Sequence, residues 1–278
     1  DSAGSDLEPD LSCAGKWMAF VSTRHSSIPQ VYLQSLGDGR IIQKTDGPYP
    51  NLSPKLSPDG QWLALASNRS GNFDLWVMPA HEEGLTWQVT TAPGEDRSPS
   101  WSPDGKRLAY GSKDEYGRWH LWVAELSSRN RTYLCPGERP AWSPDGKRIA
   151  FQRPSPRDQG WYAIWTFDLE DSQIALVTHN TRWGAIAPAW SPDARWLAFT
   201  AVTPLPPEKP GEPAGEQRQL WMSSAQGSHL TRLTGTDGSE EDPAWGTEGY
   251  LYFSCRFKGG RHLWRLKPGI SSFKILEP

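Results

Sequence analysis

One twelve-residue phrase recurs along the chain, and this repetition constrains the fold more than any other feature of the sequence. Its clearest form is Pro-x-Trp-Ser-Pro-Asp-Gly-Lys-x-Leu-Ala-Phe, and the six copies begin at Pro9, Pro54, Pro99, Pro140, Pro188 and Pro243. The third positions of successive copies are 45, 45, 41, 48 and 55 residues apart. Repeats of about 40–45 residues are typical of β-propellers, whose units are four-stranded blades.

Each unit carries the signals of four strands. The phrase covers two strands joined by a tight turn, a pair such as Leu75-Trp76 marks a third strand, and a short segment after a polar turn supplies the fourth. We expect the first strand to begin at the proline of the phrase, and the last strand of the sixth unit to lie at 272–276. The sequence predicts an all-β fold, a six-bladed β-propeller with four antiparallel strands per blade. The expected blades of this single domain, 1–278, are approximately 8–52, 53–97, 98–138, 139–186, 187–241 and 242–278.

The Ser-Pro-Asp-Gly segment of the phrase is suited to the turn between the first two strands. Proline presets φ, the Asp side chain bonds the backbone two residues on, and Gly takes the positive φ that closes the turn. Ala194 stands where Gly is expected in the fifth copy. We expect that turn to be strained by about 1 kcal/mol or to adopt another form.

Closure of the ring depends on how the two ends of the chain meet. The chain enters at the inner strand of the first blade, so the seam is expected to rest on packing between faces. We expect Trp17 and Met18 to contact the region of Tyr250, Tyr252 and Phe253. The alternative is that residues 1–8 add an edge strand to the sixth blade.

Composition excludes several classes of partner. Lys and Arg number 29 against 32 Asp and Glu, a net charge of -3, so no basic surface for nucleic acid is expected. No apolar stretch approaches the roughly 20 residues of a membrane-spanning helix. The three cysteines, Cys13, Cys135 and Cys255, fall at positions too far apart in a propeller to pair, and we predict three free thiols.

The sequence contains no recognised catalytic signature. G-x-S-x-G, G-x-x-x-x-G-K-[ST], H-E-x-x-H and C-x-x-C are all missing. The six histidines fall one per unit but at different places in the repeat. We therefore predict no catalytic residue, no metal site and no cofactor, and keep a metal-dependent enzyme as an alternative.

The repeated phrase and the Leu-Trp pair that follows it resemble the PD40 repeat, a WD40-like repeat of TolB-type β-propellers. The resemblance covers essentially the whole chain. It implies a six-bladed propeller, export to the periplasm or another exported location, and a binding rather than a catalytic role. We expect a protein or peptide partner and a monomeric propeller. We expect the propeller to stand without the N-terminal α/β domain of that family.

Recognition is expected where the units differ, in the loops between blades. These loops mix charges of both signs and carry aromatic side chains, the composition of a protein or peptide interface, with Arg182 and Trp183 as leading hot-spot candidates. The candidate partner-binding residues are Tyr49, Asp96, Arg97, Arg139, Arg182, Trp183, Glu241 and Asp242. The proline-rich segment 202–219 is expected to be an extended insertion, either solvated or an arm over the channel mouth.

The leading hypothesis is a non-enzymatic propeller of the cell envelope that binds a protein or peptide through its inter-blade loop face and channel mouth. Two enzymatic alternatives remain: a metal-dependent propeller lyase or hydrolase, and the detached regulatory propeller of a serine peptidase. A third alternative is carbohydrate binding, with a sugar stacked on Trp183 and either Trp119 or Trp161.

Overall fold

A computed structural model of the chain describes residues 4–155, 160–179, 182–206, 215–235, 239–257 and 260–269. Blades 1 and 2 contain β1 (Asp6–Leu11), β2 (Trp17–Ser22), β3 (Gln30–Ser35), β4 (Ile41–Gln43), β5 (Asn51–Leu56), β6 (Trp62–Ser67), β7 (Asp74–Pro79) and β8 (Trp87–Gln88). Blades 3 and 4 contain β9 (Asp96–Trp101), β10 (Arg107–Lys113), β11 (Trp119–Glu125), β12 (Arg131–Pro136), β13 (Glu138–Trp142), β14 (Arg148–Pro154), β15 (Tyr162–Asp168) and β16 (Ile174–Leu176). Blades 5 and 6 contain β17 (Gly184–Trp190), β18 (Trp196–Leu205), β19 (Gly215–Ser224), β20 (Thr231–Arg232), β21 (Ser239–Trp245), β22 (Leu251–Phe257) and β23 (Gly260–Leu266).

The six sheets confirm the predicted propeller. Each sheet is antiparallel and follows chain order from the inner strand outwards, as in β1-β2-β3-β4. The sixth sheet has β21, β22 and β23 in the described part of the chain, and its predicted fourth strand at 272–276 lies outside the described residues. Among the described residues, no helix is long and apolar enough to cross a membrane.

The inner strands start earlier than the repeated proline predicts. Pro54 is the fourth residue of β5, and Pro99 holds the same place in β9. The strand tolerates proline because the residue before it forms a β-bulge, where the ladder is interrupted and an N–H is not needed. The proline therefore marks the bulge and not the beginning of the strand.

The turn between the first two strands has the predicted chemistry. In blade 4 the Ser143 hydroxyl accepts from the Arg148 backbone N–H at 2.9 Å and donates to Asp145 at 2.6 Å. Ala194 closes the corresponding turn of blade 5 with a φ of 56°, and its N–H donates to the Ser191 carbonyl at 2.9 Å. The turn without glycine thus keeps the same form and carries the strain of a left-handed residue.

Tryptophans of the inner strands join neighbouring blades, as expected for core residues. The indole N–H of Trp101 donates to the Lys55 carbonyl of the preceding blade at 2.9 Å. Trp190 makes the equivalent bond to the Ala141 carbonyl, also at 2.9 Å. Both rings are buried between blades, so each tryptophan adds apolar burial and a hydrogen bond to the same joint.

The seam between the first and last blades is closed by aromatic packing. Met18 and Tyr32 of blade 1 share a buried cluster with Tyr252, and Tyr250 packs against it. Trp17 was expected there too, but it packs towards blade 2 instead. Adjacent residues of a strand point to opposite faces, so Trp17 and Met18 cannot both face the seam.

The same alternation corrects one further seam residue. Phe253 was expected against blade 1, yet it packs with Leu220 of blade 5, while its neighbour Tyr252 faces the seam. The three cysteines are free: Cys13 is exposed, and Cys135 and Cys255 are buried.

Candidate functional site

Six residues in a left-handed conformation surround the axis of the propeller, one on each inner strand. Each immediately precedes the repeated proline, and each has a φ between 50° and 54°. Left-handed backbone costs a non-glycine residue on the order of 1 kcal/mol, and its repetition in every blade shows that the bulge belongs to the architecture. The six are Glu8, Ser53, Ser98, Arg139, Ala187 and Asp242.

These residues and the prolines that follow them line a cavity around the axis, which we call the neck. Its cavity measures about 80 Å³. Because the repeat places different side chains at one structural position, the neck is chemically uneven: Glu8, Arg139 and Asp242 are charged, whereas Ala187 is apolar. The asymmetry lies where every blade contributes one residue, so it can distinguish ligands.

An ion pair crosses the neck between blades that are not neighbours. The guanidinium of Arg139 in blade 4 donates to the carboxylate of Asp242 in blade 6 at 2.9 Å. Burial alone would lower the pKa of Arg139, but the Asp242 and Glu8 carboxylates raise it above its ordinary value. Arg139 is therefore held as a cation.

Glu8 occupies the neck on the blade 1 side. Its carboxylate accepts the backbone N–H of Ser53 at 2.6 Å and lies 3.4 Å from the Ser53 hydroxyl. Burial, and then the Asp242 carboxylate, raise the pKa of Glu8, and Arg139 opposes that shift. The side chain ties blade 1 to blade 2 through these contacts with Ser53.

A second ion pair lies next to the neck. Asp10 accepts from the Lys55 ammonium at 3.0 Å and from the Leu56 backbone N–H at 2.8 Å. Both carboxylate oxygens of Asp10 are thus bonded to blade 2, which fixes the wall of the channel at this joint.

The neck adjoins a second cavity of about 340 Å³, which we call the mouth, since Pro140, Pro188 and Pro243 line both. It opens towards the turns that join the first and second strands, since Cys13, Pro58 and Pro103 line it. Its walls are mostly apolar and are shared by all six blades. The side chains at the third repeat position line the mouth in every blade: Leu11, Leu56, Trp101, Trp142, Trp190 and Trp245.

Two of the predicted partner-binding residues, Arg139 and Asp242, meet in the neck. Glu241, the neighbour of Asp242, instead pairs with Arg218 and Arg261 and is 5% exposed. These acidic residues were expected in a loop, but they belong to β21, where alternate side chains face different directions. The predicted loop position is therefore wrong for both of them.

Asp96 and Arg97 also lie on an inner strand and not in a loop. Asp96 is fully buried, and burial raises its pKa to about 6. Neither of its carboxylate oxygens has a hydrogen-bond partner in the described part of the chain. The Arg97 guanidinium lies 3.8 Å from the centre of the Phe73 ring and pairs with Glu95 at 3.1 Å. Both residues hold blades 2 and 3 together.

The remaining candidates divide between surface and core. Tyr49 is 45% exposed, and Arg182 is exposed. Trp183 is buried, with its ring 6.0 Å from Phe199 and 5.2 Å from Trp221. The predicted surface position of Trp183 is wrong, because its indole fills the space between blades.

The proline-rich segment 202–219 differs from the expected insertion at both ends. Residues up to Leu205 continue β18, and residues from Gly215 onwards belong to β19, with the two strands paired over ten residues. Residues 207–214, on which the arm hypothesis depends, lie outside the described residues.

The sequence hypothesis included a channel mouth on the loop face, but neither Glu8 nor the residues that line the mouth on the turn side were among the predicted site residues. A signal was present, because Glu8 precedes Pro9 just as Arg139 and Asp242 precede their prolines. When the six repeats are aligned, the residue before the repeated proline is charged in three of them. The sequence of one repeat does not show, however, that these residues face one another, because they come together only when the six blades form a ring.

No three His, Cys, Asp or Glu side chains within the described ranges lie close enough together to hold a metal ion. The neck has two carboxylates but also a guanidinium among them. This donor set favours recognition of a charged group by hydrogen bonds and charge.

Comparisons with known proteins place this architecture in a family. Residues 1–249 match the family model PD40, the TolB beta propeller domain, and the chain belongs to this family. No curated protein matches the chain.

Solved structures share the fold at low sequence identity. A putative TolB from Agrobacterium tumefaciens is 22% identical with a TM-score of 0.67, over 82% of this chain and 80% of the other. TolB from Acinetobacter baumannii is 18% identical with a TM-score of 0.72; 96% of this chain covers 62% of its length. Oligogalacturonate lyase from Vibrio parahaemolyticus is 11% identical with a TM-score of 0.63, over 95% and 90% of the two chains.

Proposed function

We propose that the protein is a non-enzymatic binding propeller of the cell envelope that takes a peptide segment of a partner protein into the mouth of its channel. The observation that carries the proposal is the 340 Å³ apolar mouth, which ends at a charged neck. Ligand pockets typically combine such apolar walls with a few convergent polar groups, in cavities of about 300–1,000 Å³. The TolB family supports the envelope location and a protein partner.

The geometry favours the mouth over the predicted loop face. Several loop-face candidates are engaged within the protein: Glu241 with two arginines, Arg97 with Phe73 and Glu95, and Trp183 in the core. Arg139 and Asp242 are the candidates that face the channel. We therefore keep these two residues in the proposed site. The peptide would enter the channel from the end that carries the turns between the first and second strands.

Cys13 provides a specific test, because it is exposed and lines the mouth while the other two thiols are buried. Peptides would be selected from a random display library against the unmodified protein. Their Kd would then be measured after Cys13 is alkylated with a bulky maleimide. We expect a loss of at least about tenfold, because the adduct fills space the peptide needs.

The matched control is Cys13→Ser exposed to the same reagent, which should bind as tightly as the untreated protein. Selected peptides that bind equally well after alkylation of Cys13 would place their site outside the mouth and overturn the proposal.

A further inference from the structure

The neck contains a carboxylate whose hydrogen bonds come from neutral groups. Glu8 is bonded to the backbone N–H and hydroxyl of Ser53. Arg139 is a cation of the same neck, but its guanidinium donates to the Asp242 carboxylate at 2.9 Å. Carboxylates taken out of water normally pair with a positive charge, because hydrogen bonds from neutral donors replace only part of their hydration.

The charges lining the channel do not cancel. Asp10, Glu8 and Asp242 supply three carboxylates, and Lys55 and Arg139 supply two cations. Asp10 and Lys55 form one pair, and Asp242 and Arg139 form the other. Glu8 is therefore left without a cation of its own, and these five groups of the channel lining carry one positive charge too few.

The shape of the channel limits what can supply that charge. The neck is small, about 80 Å³, and it is continuous with the apolar mouth because Pro140, Pro188 and Pro243 line both cavities. A ligand that fits both parts has a compact cationic end and an apolar stem. A guanidinium is broader, and its planar fork suits a bidentate carboxylate partner, whereas an ammonium is a compact charge with three donors.

We propose that the neck binds a primary ammonium group on an apolar stem, with Glu8 and Asp242 as its acceptors. This inference rests on the proposed function to the extent that a peptide delivers the ammonium, either at its N-terminus or on a lysine side chain. Arg139 then sets the strength of binding, because it neutralises part of the charge that the ligand meets.

The first measurement uses n-butylammonium, which carries the group without a peptide. Titration followed by NMR would give its Kd for the wild type, for Glu8→Gln and for Arg139→Gln. Glu8→Gln keeps the shape of the side chain and should weaken binding at least about tenfold, because a buried charge partner is lost. Arg139→Gln leaves the neck more negative and should tighten binding.

Controls separate charge at the neck from general effects. Glu115→Gln, on the exposed tip of the β10–β11 hairpin, should leave the Kd unchanged. n-Butanol, which has the same stem without charge, should bind at least about tenfold more weakly than n-butylammonium. Thermal unfolding of each variant reports whether it is folded, and the Glu8→Gln result stands alone if Arg139→Gln does not fold.

The two sources of ammonium are distinguished with peptides selected on the mouth. A lysine-free peptide with a free N-terminus, its N-acetylated form, and an N-acetylated peptide with one lysine would be compared. Weakening by N-acetylation identifies the N-terminus, and recovery by lysine identifies the side chain. If no peptide binds while n-butylammonium still depends on Glu8, the proposed function fails and the ammonium site stands.

Three results would overturn the inference. The first is a failure of n-butylammonium to bind, or an equal Kd for the wild type and Glu8→Gln. The second is n-butanol that binds as well as the amine. The third is Ca²⁺ alone binding with a dependence on Glu8 when the amine does not, which would make the neck a metal site.

Discussion

Arg139 and Asp242 lie 103 residues apart in the chain and form an ion pair of 2.9 Å across the central channel. Each occupies the left-handed bulge before the repeated proline of its own blade. The bulge that lets proline lie within the inner strand therefore also aims the side chains that give the neck its charge. The same bulge thus serves the fold of the inner strand and the proposed binding site.

Loss of one partner in this pair should lower stability. Asp242→Asn should reduce the free energy of unfolding by about 1–2 kcal/mol in urea denaturation, because Arg139 would lose the charge that faces it. The loss is smaller than for a fully buried pair, since the Arg139 side chain is 39% exposed. The double variant Arg139→Met, Asp242→Asn should recover part of it, and a fully additive double variant would show that the pair is not coupled.

Asp96 should make stability depend on pH. Its pKa is raised by burial from 3.8 to about 6 in the folded protein, so the folded state binds a proton more tightly than the unfolded state does. The ionised form therefore costs stability above pH 6, and that cost disappears as the pH falls below about 4. We expect Asp96→Asn to be more stable than the wild type by about 1–3 kcal/mol at pH 7.5 and equal to it near pH 4.

Blade 2 shows why the amide should fit in place of Asp96. Asn51 holds the equivalent position and donates from its side chain to the Gln30 oxygen at 2.8 Å. Asp74 of blade 2 holds the position that Gln30 has in blade 1, and it offers a carboxylate to the new amide at position 96. Asp38→Asn, on an exposed hairpin where hydrogen bonds lower the carboxyl pKa, is the control and should give no gain. Equal stability of Asp96→Asn and wild type at pH 7.5 would contradict the buried-charge account.

The fold was predictable from the sequence to the level of blades, strands and turns, because those features repeat. The repeat did not predict which face a side chain takes, as Trp17 and Phe253 show: a shift of one residue along a strand moves the side chain to the other blade. The bulge was not predicted either, since proline alone is compatible with a strand start. The neck was not predicted because it forms only when residues from all six blades come together around the axis.

A turn glycine with a positive φ should contribute measurably to the free energy of unfolding. Gly105 has a φ of 68°, and a methyl group added there would lie 3.9 Å from the Pro58 side chain, which is ordinary contact. Gly105→Ala should therefore cost about 1 kcal/mol from backbone strain alone. Gly37→Ala, in a turn where no positive φ is required, should change the free energy of unfolding by less than about 0.5 kcal/mol. A similar cost for both would show that strain is not the cause.

The seam between blades 1 and 6 should depend on Tyr252. Its ring is buried against Met18, Phe20 and Tyr32, so Tyr252→Ala should cost about 3–5 kcal/mol in chemical denaturation. Tyr252→Phe keeps the ring and loses only a 3.4 Å contact with Arg265, and it should cost less than about 1 kcal/mol. If both variants lose the same stability, packing is not what closes the ring.

The most direct test of the account is where a partner contacts the propeller. A benzophenone maleimide would be attached at the rim of the mouth through Lys106→Cys, an exposed position in the β9–β10 turn, in a Cys13→Ser background. This protein would be irradiated with envelope extract, in parallel with the same probe on Tyr116→Cys in the same background. Tyr116 is 73% exposed and lies in the β10–β11 hairpin, away from the residues that line the mouth. We predict a specific adduct from position 106 that a selected mouth peptide prevents. An adduct from position 116 alone, or one from position 106 that the peptide leaves unchanged, would contradict a partner site in the mouth.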